Sequence, residues 1–274
     1  MKRALLCVVV CVATLAVADD SFKKAEAAYA AAALQSKAEK YDEAAKLLVD
    51  AAAEITRANR EERYTPDALR KAAETYTLRA KLKATALSDA KSARAMLKSL
   101  VSEPGLGSEH VERIGTDDPR VAALLKTLRE KDPKAKAFFT ARKIKVVVSG
   151  DALNPAQAAS LTDRLVNSLR GLGFDASKDA GDETIEVPVK QTPMLPVPMF
   201  GGGNDPNKLG AGEFKCIVTW SDAKNTVLIF DLGMRGPGYT DMPTSFVDQN
   251  WQRLGTAFVP RLLLRWDEAS PTGG

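Results

Sequence analysis

The stretch 144-IKVVVSGDALNPAQAASLTDRLVNSLRGLGFDAS-177 decides the fold class. Its β-branched start predicts a strand over Lys145–Ser149. Asn154-Pro155 then reads as an N-cap followed by a first-turn proline. Ala158, Leu161, Leu165, Leu169 and Leu172 recur at helical spacing, so one stripe of that helix faces a core. Gly173 stops the helix, and Phe174 brings the chain back into apolar surroundings. Further on, Thr184–Val189 predicts a second strand, and Pro188 suggests that it lies at an edge. Phe214–Trp220 alternates Phe214, Cys216, Val218 and Trp220 against Lys215 and Thr219. Asn225–Leu232 follows as a fourth strand after a short turn, Ser221–Lys224. A last helix is expected over Ser245–Trp266, kinked or interrupted at Pro260. The order β-α-β-β-β-α predicts a small two-layer α+β domain over residues 143–270, with 271–274 as a tail.

Upstream the grammar changes. Asp19 to Glu103 contains no glycine and a single proline, Pro66. Leu34, Ala38, Tyr41, Ala45, Leu48, Ala52 and Ile55 alternate steps of four and three, close to a heptad seam. A second series runs through Leu69, Ala73, Tyr76, Ala80, Leu87, Ala90, Leu97 and Val101, with lapses at Lys83 and Arg94. Thr65-Pro66 separates the two as a cap and first-turn proline. Residues 19–102 therefore read as an α-helical hairpin of two long helices, coiled-coil or tetratricopeptide-like. Residues 103–142 read as a connector with short helices, one opened by Asp118-Pro119.

The first residues, MKRALLCVVVCVATLAVADD, combine Lys2 and Arg3 with an apolar run and a small-x-small ending at Ala16-Val17-Ala18. That is the pattern of a signal peptide over 1–18, cleaved after Ala18. The apolar run is shorter than the roughly 20 residues of a membrane span. Cleavage would remove Cys7 and Cys11, leaving Cys216 alone, so no internal disulfide is expected in a secreted or periplasmic chain. Lys2 and Arg3 would take two of the four net positive charges with them. The remaining bias is too small to argue for nucleic acid.

Two local phrases resemble known families. KAEKYDEAAKLLVDAA, residues 37–52, resembles the second helix of a tetratricopeptide repeat, with Tyr41, Ala44, Leu48 and Ala51 on the matching positions. The upstream helix departs from that pattern at Ala28, Ala31 and Ala32. The phrase carried by Leu169, Gly171, Gly173 and Phe174, within 143–190, resembles small periplasmic domains of bacterial envelope-assembly proteins. Examples are the amino-terminal domain of the Tol-system periplasmic protein and the curli-secretion lipoproteins. The first likeness implies a helical groove in which Tyr41 and Leu48 are binding candidates. The second implies an envelope role and a protein partner.

Reactive chemistry is sparse. The single histidine, His110, sits in the glycine-rich connector, and Cys216 lies on the apolar face of a strand. Neither a nucleophile–base arrangement nor a metal-ligand spacing is present, and no cofactor is expected. Asp179, Asp182 and Glu183 cluster before the second strand, where a solvated turn is the expected reading. Arg235, in a glycine-rich segment, is a ligand candidate. The most distinctive segment is 192-TPMLPVPMFGGGNDPNKLGAG-212. It is far longer than a hairpin turn, and its prolines favour an extended polyproline-like course. Met194, Leu195, Val197, Met199 and Phe200 are the candidates for docking a partner, the other reading being that Met194, Leu195 and Phe200 fold back over the open sheet face. The expected function is a non-enzymatic scaffold or adaptor acting through protein–protein contacts. The alternatives are a carboxylate-based hydrolase or small-ligand-binding domain, and a peripheral membrane-surface protein.

Overall fold

The computed structural model describes residues 23–24, 26–58, 65–101, 118–140, 142–150, 153–192, 196–198, 204–209, 213–235 and 243–269. The chain is mixed α+β and divides into two compact units, Met1–Arg113 and Ile114–Gly274.

The described part of the first unit is helical: α1 over 26–37, α2 Tyr41–Ala58, α3 Pro66–Lys83 and α4 Ala90–Val101. Thr65 caps α3 as its sequence suggests, accepting the Ala68 N–H at 3.2 Å. Each of the two long helices expected from periodicity is broken by a turn. The first break is at Glu39, whose φ is +56°. Its N–H donates to Ser36 O and the Lys40 N–H donates to Gln35 O, which is the paired-bond stop of a Schellman motif. Lys83 reaches this turn from α3, donating to the Glu39 carbonyl at 2.9 Å. The second break occupies 84–88, and Asp89 then opens α4 by accepting the Ser92 N–H at 2.7 Å. These turns redirect the seam. Leu34 is 66% exposed and Leu87 62% exposed, while α1 buries Tyr29, Ala32 and Ser36.

Arg79 joins the helices. It is only 2% exposed; one Nη donates to Ser36 Oγ in α1 and the other to Ser99 O in α4 at 2.6 Å. Its guanidinium lies 4.9 Å from the Tyr76 ring centroid. Arg94, a lapse in the apolar series, is buried as well.

The second unit opens with α5, Pro119–Lys131, and α6, Pro133–Phe138. Asp118 caps α5, accepting the Arg120 N–H at 2.9 Å and pairing with its guanidinium at 2.7 Å. The chain continues through β1 (Lys143–Ser149), α7 (Pro155–Gly171), β2 (Asp175–Ser177), β3 (Glu183–Pro188) and β4 (Lys190–Thr192). Then come β5 (Pro196–Pro198), β6 (Asn204–Leu209), β7 (Glu213–Ser221), β8 (Thr226–Arg235) and α8 (Pro243–Ala269). Asn154 and Gln157 cap α7 reciprocally. Gly173, at φ +91°, ends it with the same paired-bond stop seen at Glu39.

β1 runs parallel to β2 and β3; β7 runs antiparallel to β3, β4 and β8. β3 is therefore interior, not an edge, and Pro188 has a specific effect there. The Val189 N–H points to β1 and donates to Ser149 O. Successive residues point opposite ways, so a donor at 188 would face β7. Proline has none. The β7 ladder lapses at that point, while Thr184–Glu186 and Lys190–Thr192 pair with β7 in one unchanged register. β3 and β4 thus act as one strand of a five-stranded mixed sheet.

One face of the sheet carries the core. Ile185, Val187, Val218 and Trp220 are fully buried with Leu161, Leu165 and Leu169 of α7 and Leu254, Phe258 and Leu262 of α8. Pro260 does not interrupt α8, which continues to Ala269. Asp222 closes the β7–β8 turn by accepting the N–H groups of Lys224 and Asn225. The segment expected to run polyproline-like instead places Pro196–Pro198 antiparallel to Asn204–Leu209, as a separate two-stranded sheet.

Two substitutions test these constraints by chemical denaturation. Arg79→Ala leaves Ser36 and the Ser99 carbonyl without their buried cation and is expected to cost about 2–3 kcal/mol, with Lys no substitute for the two-pronged contact. Gly150 stands at φ +114°, and an added Cβ would collide with the Val189 carbonyl. Gly150→Ala is expected to cost about 1–2 kcal/mol from backbone strain alone, before any clash.

Candidate functional site

The densest polar constellation lies at one end of the sheet. Glu183 opens β3 two residues before buried Ile185, so alternation places it on the core-facing side at the rim. There it meets Trp220 of β7, whose Nε1–H donates to Glu183 Oε2 at 2.7 Å. Arg142, just before β1, donates to Glu183 Oε1 at 3.1 Å and Oε2 at 3.3 Å. The same guanidinium lies 5.6 Å from the Phe138 ring centroid and 5.8 Å from that of Trp220. Phe138, Phe139, Phe174 and Trp266 continue the aromatic cluster inward, with ring centroids about 5 to 6 Å apart. Both Glu183 oxygens are engaged by donors. The arrangement ties the ends of β1, β3 and β7 to α6.

The remaining acidic groups behave as local structure. Asp179 and Asp182, grouped with Glu183 in the sequence, are exposed, whereas Glu183 is half-buried. Among the described residues, the aspartates whose carboxyls are displaced all move down. Backbone N–H donation, from Ser92 to Asp89 and from Lys224 to Asp222, is the main cause for those two. At Asp118 burial pushes upward, and the Arg120 guanidinium and N–H outweigh it. No described group of three His, Cys, Asp or Glu residues is arranged to hold a metal ion.

Cys216 faces the core at 3% exposure, its Sγ 3.4 Å from Leu232 O. Burial, with Asp231 adding to it, pushes its thiol up to about 12. At neutral pH it is a small apolar residue with no thiolate to offer.

The outward face of the sheet is different. Ile217 in β7 is 55% exposed and Ile229 in β8 is 47% exposed. β7–β8 register pairs Thr219 with Ile229 and Ile217 with Asp231, so the two isoleucines are diagonal neighbours on one face. Lys145, Val147 and Thr184 share that face and are half-buried. Sequence reading missed this patch. The alternation that buries Cys216, Val218 and Trp220 puts Ile217 outside, and that signal was available.

The residues singled out from sequence are dispersed. Tyr41 and Leu48 are buried in the helical unit's core, with Leu48 fully enclosed. Val197 lies in β5, and Arg235 ends β8 paired with Glu213. Met194, Leu195, Met199, Phe200, His110 and residues 1–18 lie outside the described residues. No described helix is long and apolar enough to cross a membrane. No protein-family model and no curated protein matches the chain.

Burial of Cys216 has a direct readout. Its thiol should resist iodoacetamide at pH 8 in the folded protein and react once the protein is denatured. The group also makes stability pH-dependent. Its folded value of about 12 lies above the ordinary 9.0, so its contribution is complete below pH 9 and fades as pH rises toward 12.

Proposed function

We propose that this chain is a secreted or periplasmic scaffold or adaptor that acts through protein–protein contacts and not by catalysis. In this reading an N-terminal, tetratricopeptide-like helical hairpin is joined to a small α+β module of the kind used in envelope assembly. The observation that carries the reading is the sheet face on which Ile217 and Ile229 stand exposed as diagonal neighbours, opposite the face packed by α7 and α8. Exposed apolar side chains grouped on a sheet are more consistent with a contact surface than with a reaction centre. The sequence adds further contact candidates in the segment 192–212, namely Met194, Leu195, Val197, Met199 and Phe200. The engagement of Glu183 by Arg142 and Trp220 gives the carboxylate-hydrolase alternative no support, and nothing favours the membrane-surface alternative over the adaptor.

A photo-crosslinking residue placed at 217 or at 229 is expected to give a discrete adduct with one partner in the producing cells. Ile217→Glu with Ile229→Glu should reduce that adduct at least tenfold while leaving the far-ultraviolet circular dichroism unchanged. Absence of adducts from 217, 229 and positions 194–200 alike would refute the adaptor reading.

A further inference from the structure

The edges of the five-stranded sheet share one device. Among the described strands, β2 and β8 are outermost. On β2 the Asp175 N–H points inward, donating to Arg142 O, so the neighbouring Ala176 carbonyl points off the sheet. Arg170 of α7 occupies it, with Nε 2.9 Å from Ala176 O. On β8 the Ile229 carbonyl is occupied in the same way, with Arg265 Nε of α8 at 2.9 Å. Glu268 steadies that guanidinium through a 3.0 Å ion pair. Each helix lying on the sheet thus sends one arginine round the rim to the strand beneath it.

We propose that Arg265 guards the β8 edge against addition of a strand from a second copy of this chain, while Arg170 makes the same contact on an edge too short to need it. An open edge strand is a template for pairing, and identical chains present identical edges to one another. The two edges are not equally vulnerable. β2 has three residues and is protected by its shortness. β8 has ten residues, TVLIFDLGMR, with neither proline nor lysine to discourage pairing. An incoming strand needs the Ile229 carbonyl as an acceptor, and Arg265 already fills it. The guard on β8 therefore matters more. This device is independent of the exposed isoleucine side chains, which point out of the sheet plane and not along its edge.

The test compares self-association of the full chain by light scattering behind size exclusion, over a concentration series. Arg265→Met keeps the stem of the side chain and removes the donor. It is expected to lower the concentration of half-association at least tenfold relative to wild type, and Arg170→Met to leave it within twofold. Adding Asp231→Pro to Arg265→Met should restore wild-type behaviour. The Asp231 N–H points off the sheet by the same alternation as Ile229, so proline is compatible with the β7 ladder and hostile to a new strand. Arg265→Ala repeats the measurement with a second side chain, and circular dichroism establishes that each variant is folded. Folded Arg265 variants that associate no more tightly than wild type, or association that Asp231→Pro leaves intact, would overturn the proposal. Loss of the photo-crosslinked partner adduct with unchanged self-association would bear on the adaptor reading alone.

Discussion

Burying an indole N–H without an acceptor is costly, and at Trp220 one end of the second unit's sheet is built around meeting that need. Trp220 finds its acceptor in Glu183. That carboxylate, drawn to the rim of an apolar core, then needs a counter-charge, which Arg142 supplies while lying over Phe138 and Trp220. A single donor thereby ties the ends of β1, β3 and β7 to α6. Ion pairs this close to a core gain little net energy once desolvation is counted. Their value here is positional: Glu183 has one place to be, and the start of β3 follows it.

The helical unit solves a different problem. Alanine lets helices approach closely but buries little surface per residue, so apolar burial discriminates poorly between possible alignments. Arg79 supplies discrimination by demanding Ser36 on one side and the Ser99 carbonyl on the other. A shift of α1 or α4 by one turn would leave a buried cation without those acceptors, a far larger loss than repacking alanines.

The contrast between two helix ends explains what was legible. α1 and α7 stop with the same pair of backbone bonds and a left-handed residue, and each is met by a basic side chain. Lys83 donates to the Glu39 carbonyl, and Arg129 donates to that of Leu172. In α7 the left-handed residue is Gly173, and the stop can be read by eye. In α1 it is Glu39, and the apolar spacing runs on through the turn from Leu34 to Ile55 as if nothing happened. Caps written in side-chain chemistry, Thr65, Asp118 and Asn154, were visible for the same reason that Gly173 was. Arg79, Arg94 and Glu183 were not, because charge reads as surface until the partner that shelters it is known. Pro188 pointed toward an edge because a missing donor is usually tolerated only there; the interior sheet accepts one missing rung when the register on both sides holds. Of the candidate contact surface, Ile217 was recoverable from strand parity, whereas its closeness to Ile229 required the pairing of β7 with β8.

That preserved register has a consequence for the connection it brackets. Thr192 and Glu213 face each other across β4 and β7, so the intervening twenty-residue excursion leaves and rejoins the framework at adjacent points. Lengthening or shortening a connection whose feet are already side by side changes closure entropy only slowly. A connection of another length between Thr192 and Glu213 would therefore leave the pairing of β4 with β7 largely undisturbed.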